Sequence, residues 1–266
     1  MEEEIIQKLQ RRMKINGFSI HTQKTYSMLI RGYINFLKQK NKPLIPPDTN
    51  IIEEYFYNQT EQGKSAKTRS LIKTAIIYLY RDILEIITIK EQLGFIRIRL
   101  ESKEVMYLEK PQLEQYLKNI KNPTHLIIIK LMFKTGVRVS EASKITLTNI
   151  KEENIMGKGK KDRPLFITPE FKEELINYYN KYTKKGELLF PNMKERNIQR
   201  IVAMYSKKAG MGWVTPHIFR KTFQNLMGDL GYGVEKIAMW MGHSSLDTAF
   251  KHYIKRKQNT QDFGGL

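Results

Sequence analysis

Apolar residues recur at steps of three and four along nearly the whole chain, and this periodicity restricts the fold to a mainly helical one. The pattern is sharpest at Tyr26, Leu29, Ile30, Tyr33, Ile34 and Leu37, and again at Leu71, Ile72, Ala75, Ile76, Leu79, Tyr80 and Ile83. Shorter versions at Ile5, Ile6, Leu9 and Met13, and at Ile51, Ile52, Tyr55 and Phe56, are set apart by the breakers Asn16-Gly17 and Pro43 to Pro47. Residues 1–93 therefore read as a small helical bundle. The helical spacing then gives way to Phe95-Ile96-Arg97-Ile98-Arg99, so 94–109 is expected as a linker and 110–266 as a second domain with a short tail.

In the second domain the spacing predicts helices over about 111–121, 124–135, 139–147, 169–183, 195–208, 215–230, 233–241 and 245–256. Strand character appears at one main place. Asn154-Ile155-Met156 and Pro164-Leu165-Phe166-Ile167 flank a Gly-containing turn from Gly157 to Arg163, the pattern of an antiparallel hairpin. The expected fold class is mainly α with a small antiparallel β-sheet in the C-terminal domain.

Charge narrows the partner. Lys and Arg number 46 against 27 Asp and Glu, a net charge of +19, and such a field favours a polyanion. Lys-rich coding in an AT-rich genome would give a similar excess, since Ile and Asn are abundant too. Lys24, Arg31, Lys64, Lys67, Arg69 and Lys73 fall on polar helix faces that could follow a phosphate backbone or simply be solvated.

Other chemistries are disfavoured. The chain has no cysteine, which removes disulfides and thiolate metal sites. No apolar run approaches the roughly 20 residues of a membrane span, and the acidic start from Met1 to Glu4 is unlike a signal peptide. A cytoplasmic, nucleoid-associated protein with no membrane partner is expected. No His and carboxylate set shows zinc spacing, no nucleophile elbow is present, and the glycine turn lacks the Lys-Ser or Lys-Thr pair of a P-loop. Neither metal nor other cofactor is expected.

Four segments hold residues suited to phosphate chemistry. Thr215-Pro216-His217-Ile218-Phe219-Arg220 should open a helix with His217 and Arg220 on one face of its first turn, where backbone N–H groups also attract anions. Lys134-Thr135-Gly136-Val137-Arg138-Val139-Ser140-Glu141 reads as a helix end, a glycine turn and a new helix, with Glu141 placed to orient Arg138 or to complete a cap. The turn Gly157-Lys158-Gly159-Lys160-Lys161 is either a solvated basic loop or a lysine arm for a DNA groove. Finally, Gly242-His243 precedes a stretch in which Leu246, Ala249, Phe250 and Tyr253 share a face, leaving His252 about 100° away. Taken singly, each has a bland equivalent: a capping histidine, a surface arginine, a core tyrosine.

In this order, Arg138, Lys158, His217-x-x-Arg220, Gly242-His243 and Tyr253 resemble the tyrosine recombinases, the phage integrase and Xer family. The resemblance spans about Leu131 to Tyr253, and the helical first hundred residues are similar to that family's SAM-like core-binding domain. Family members commonly place the tyrosine nine residues after the histidine of Gly-His. Here the step is ten, and position nine is His252, which cannot serve as an oxygen nucleophile, so the resemblance selects Tyr253.

The resemblance implies a site-specific recombinase that cleaves and rejoins duplex DNA through a 3′-phosphotyrosyl bond. Arg138 and Arg220 would hold the phosphate, His217 and His243 would donate hydrogen bonds or shuttle a proton, and Lys158 would protonate the leaving 5′ oxygen, with Glu141 in support. Lys24, Lys67, Arg69, Lys160 and Lys161 are the candidate DNA contacts. The implied assembly is a C-shaped clamp on DNA, monomeric when free and a homo-tetramer on two sites with inverted repeats. Rivals are a type IB topoisomerase, disfavoured by the amino-terminal bundle, and a DNA-binding regulator without chemistry, disfavoured because all six positions are filled.

Overall fold

The computed structural model describes residues 2–100, 106–156 and 162–242. It divides into two compact units, Met1–Lys103 and Glu104–Leu266, each with its own apolar core.

Four helices dominate the first unit: α1 (Glu2–Ile15), α2 (Ile20–Gln39), α3 (Thr49–Glu61) and α4 (Ala66–Tyr78). Their starts follow local chemistry. Ser19 accepts a hydrogen bond from the Thr22 N–H, Asp48 from those of Asn50 and Ile51, and Ser65 from that of Thr68, each satisfying donors that a first turn leaves unpaired. The predicted apolar faces meet in a core that includes Ile6, Leu9, Ile30, Tyr33, Ile52, Ile72 and Leu79. A π-helical turn over Leu79–Ile83 continues α4, and a short helix that periodicity does not reveal, α5, covers Ile89–Gln92. Ile96 and Ile98, in the segment expected as linker, pack on this first core, whereas Leu108 belongs to the second.

The second unit runs through α6 (Lys110–Lys118), α7 (Pro123–Thr135), α8 (Val139–Ala142), α9 (Leu147–Glu152), the hairpin strands β1 (Asn154–Met156) and β2 (Asp162–Pro164), then α10 (Pro169–Tyr178), α11 (Glu195–Lys208), α12 (Pro216–Asp229) and α13 (Val234–Met241). Phe219 of α12 is fully buried, with its ring centroid 5.2 Å from that of Tyr116 on α6 and 6.4 Å from that of Phe133 on α7. A π-helical turn over Tyr179–Thr183 carries α10 to the predicted end.

Two expectations are corrected. The helix predicted over 139–147 ends at Ala142, and a separate helix, α9, starts at Leu147, where Thr146 and Asn149 exchange capping hydrogen bonds of 3.0 Å. The second strand is Asp162–Pro164 rather than 164–167, which places Arg163 directly opposite Ile155. The helix expected over 245–256 lies outside the described residues.

Candidate active site

Arg138 occupies the N-cap position of α8, two residues after the glycine that ends α7. Gly136 has φ +66°, and a Cβ there would lie 2.4 Å from the Phe223 ring, so only glycine fits this turn. Its carbonyl accepts a hydrogen bond from the Arg220 guanidinium on α12, which ties the α7–α8 turn to a helix more than eighty residues later.

Glu141 both orients Arg138 and caps α8. Its Oε2 accepts the Arg138 backbone N–H at 2.7 Å, while its Oε1 accepts Arg138 Nη1 at 2.8 Å. The same Oε2 takes a second bond, the carboxylate's third, at 2.7 Å from Arg163 Nη2 on β2. Arg163 is the member that sequence reasoning missed. It reads as one more cation in a basic hairpin, yet its side chain is buried and paired with a carboxylate. Its signal was the strand register: opposite the buried Ile155, its side chain shares that residue's face.

All three arginines end on one short stretch of backbone. Arg163 donates to the carbonyl of Trp240, Arg220 to that of Met241, and Arg138 to that of Gly242, the last at 3.1 Å. These carbonyls close α13, and Gly242 caps it in the left-handed region at φ +57°. A Cβ at Gly242 would lie 2.6 Å from Arg163 Cδ, so the turn and the arginine fit only because this residue is glycine.

The charges respond to one another. Burial pushes the Glu141 carboxyl upward, but the neighbouring Arg163 charge and the hydrogen bonds from Arg138 outweigh it and hold the group below its ordinary value. Burial lowers Arg163, and Glu141 opposes that shift. Arg220 is pushed down to about 9, mainly by burial and then by the charges of Arg138 and Arg163. It therefore stays cationic at neutral pH. Three guanidinium groups against one carboxylate leave this centre doubly positive.

His217 is exposed on the first turn of α12, three residues before Arg220 and on its face. Thus Arg138, Glu141 and Arg220 come together, and His217 stands one helical turn from Arg220. Lys158, Lys160, Lys161, His243 and Tyr253 lie outside the described residues. Lys24 on α2 and Lys67 on α4 are exposed in the first unit. Arg69 donates to Thr60 Oγ1 at 2.7 Å, Arg31 pairs with Glu2 and Glu3, and Lys73 donates to the Ile96 carbonyl at 2.7 Å. Among the described residues no group of three or more His, Cys, Asp or Glu side chains could hold a metal ion, and no helix is long and apolar enough to cross a membrane.

Residues 106–260 match the Phage integrase family, and residues 5–91 match the Phage integrase, N-terminal SAM-like domain. The chain is 27% identical over 247 residues to the tyrosine recombinase XerA of Saccharolobus solfataricus, covering 88% of this chain and 82% of that one. It is 24% identical to the tyrosine recombinase XerC of Leptospira interrogans, covering 87% and 82% respectively. Among solved structures, a lambda integrase dimer bound to a COC′ core site aligns over 94% of this chain and 76% of that one, with TM-score 0.76 and 16% identity. The Tn1549 transposon integrase in complex with transposon right end DNA aligns over 98% and 99%, with TM-score 0.72 and 17% identity. At those identities the likeness is one of fold. The family matches span most of both units, and the chain belongs to the phage integrase family as a tyrosine recombinase with a SAM-like amino-terminal domain ahead of its catalytic domain.

Proposed function

We propose that this protein exchanges DNA strands at a specific site by using Tyr253 as nucleophile. The tyrosine oxygen gives up its proton through a relay of His217 and His243 as it attacks the scissile phosphorus, a 3′-phosphotyrosyl bond forms as the P–O5′ bond breaks, and the 5′ oxygen departs with a proton from Lys158. The reverse attack by a 5′ hydroxyl restores the phosphodiester and frees Tyr253. Because each covalent bond is replaced by one of similar energy, the reaction needs neither a nucleotide nor a metal.

The observation that carries this reading is the convergence of Arg138 and Arg220 in a doubly positive, largely buried centre at the end of α13. A phosphodiester brings one negative charge and its five-coordinate transition state nearly two. Fixed cations therefore bind the transition state more strongly than the ground state, which is the condition for catalysis. Arg138, with its side chain 30% exposed, is the group a phosphate oxygen would meet first. His217 supplies a hydrogen bond or a proton relay beside it, and His243, which follows Gly242 directly, is assigned the second such role.

The DNA partner follows from the same charge logic, with Lys24, Lys67, Arg69, Lys160 and Lys161 as backbone contacts. Exchanging both strands of two duplexes takes four cleavages, and one Tyr253 per chain then calls for four protomers on two sites. Dimer resolution and mobile-element integration use the same chemistry, and both remain within this proposal.

A covalent trap tests the nucleophile. The purified protein selects its site from a random-sequence duplex pool, and that site is rebuilt with a nick that lets the cleaved end diffuse away. Wild-type protein is expected to accumulate a denaturant-resistant DNA adduct, Tyr253→Phe none at unchanged DNA affinity, and His252→Ala a normal amount. An adduct in Tyr253→Phe overturns the assignment.

A further inference from the structure

We infer that Arg163 is a positioning residue for strand cleavage, acting on the phosphate through Arg138; the inference rests on the role proposed for Arg138. Its own side chain is 6% exposed, against 30% for Arg138, so it is the less able of the two to reach a ligand. What it reaches are the two anchors that fix the Arg138 guanidinium.

The first anchor is Glu141. Oε1 receives Arg138 Nη1 at 2.8 Å, and the carboxylate is kept from rotating by Arg163 Nη2, 2.7 Å from Oε2. The second anchor is the Gly242 carbonyl, which receives Arg138 Nη2 at 3.1 Å. That peptide is fixed by the bond from Arg163 to Trp240 two residues earlier, and by the Arg163 Cδ lying against Gly242 where a Cβ would be. Loss of Arg163 therefore releases both anchors at once.

Only arginine has the planar fork for this. One nitrogen serves the carboxylate and another the carbonyl, whereas a lysine ammonium could hold one partner at a time in that geometry. Burying the charge is costly in general, and a hairpin that merely needed to close could face Ile155 with an apolar residue at no loss. The retained cation is explained by what it holds.

The test is a double-mutant cycle on cleavage of the nicked duplex, with DNA affinity and thermal unfolding measured for each protein. Arg138→Ala is expected to cleave roughly 100-fold more slowly. Arg163→Met should lose about tenfold or more at nearly unchanged DNA affinity, and Arg163→Met with Arg138→Ala should be no slower than Arg138→Ala alone to within about twofold, because both act on one guanidinium. Arg163→Lys, which keeps the charge against Glu141, should fold, cleave slowly and show the same non-additivity. Multiplying losses in the double mutant would mean that Arg163 acts independently, which overturns the inference. So would wild-type cleavage by Arg163→Lys, even if Arg163→Met fails to fold. Wild-type cleavage by Arg138→Ala strikes instead at the proposed function, so the two failures are told apart.

Discussion

In the first unit the buried polar side chains are neutral, Ser27 and Gln59, and the hydroxyls of Tyr33 and Tyr80 meet at 2.9 Å; the second unit buries Arg163 and Arg220 beside Glu141. Apolar burial with paired hydroxyls is an inexpensive way to build a core, and it leaves cations such as Lys24 and Lys67 outside, where water and salt screen them. A buried guanidinium cluster costs stability, yet its charge is fixed in direction and little screened. On the function proposed above, the difference is a division of labour: the first unit would grip DNA by exposed surface charge, and the second would present charge already in place when a phosphate arrives.

That contrast can be broken at several points. The largest effect is expected for Arg220→Ala, which should slow cleavage of the nicked duplex roughly 100-fold or more with much less change in affinity, in single-turnover assays at saturating protein. Thermal unfolding should move little, since relief from burying the charge offsets the loss of bonds to the Gly136 and Met241 carbonyls. A large loss of affinity with unchanged cleavage of bound DNA would put the grip in the second unit and undo the comparison.

The converse substitution lies in the first core. Ile30 is fully buried, and Ile30→Val should destabilise that unit by about 1 kcal/mol. Amide exchange should quicken in α2 and α4 alone, while cleavage of bound DNA stays at the wild-type rate. Spread of the exchange effect into α7 and α12 would show that the two cores do not unfold separately.

A smaller effect is expected in acid. Glu141 in the folded protein lies below its ordinary value of 4.5, so its contribution is complete above that value and disappears as pH falls through the folded one. Glu141→Gln should therefore lose stability at neutral pH and flatten the decline of the second unit below about pH 4.5, read by urea unfolding across pH. An unchanged acid limb would mean that the carboxylate is not held by Arg163 and Arg138.

The smallest effects belong to the exposed lysines. Lys24→Ala or Lys67→Ala should each weaken DNA binding only a few-fold and lower the salt-dependence slope by about one, with no change in cleavage of bound DNA. A slope equal to that of wild type removes the altered lysine from the interface.

Much of this architecture was legible because helix spacing and caps are local. Ser19, Asp48, Ser65, Asn122 and Thr168 start helices where their residue type predicts, and Gly136 and Gly242 end them. The break between α8 and α9 was less visible because Thr146 sits inside the stretch whose spacing reads as one helix. The site was legible in part. Arg138, Glu141 and Arg220 stood out by motif, but Arg163 did not, because burial of an arginine depends on partners distant in sequence. A hairpin turn two residues longer than the real one placed it in the loop instead of opposite Ile155.

The end of α13 has one more consequence, which concerns the sign of its field. Aligned peptide dipoles give a helix roughly half a negative charge at its C-terminus, the polarity that repels phosphate. Here the three terminal carbonyls, of Trp240, Met241 and Gly242, each carry an arginine. At this end of α13 any attraction for an anion is therefore supplied by the arginines, against the sign of the helix's own field. An anion site on a helix N-terminus keeps a residual pull from its own backbone N–H groups after any side chain is lost. One built on a C-terminus has no such reserve, and each arginine lost from it uncovers repulsion.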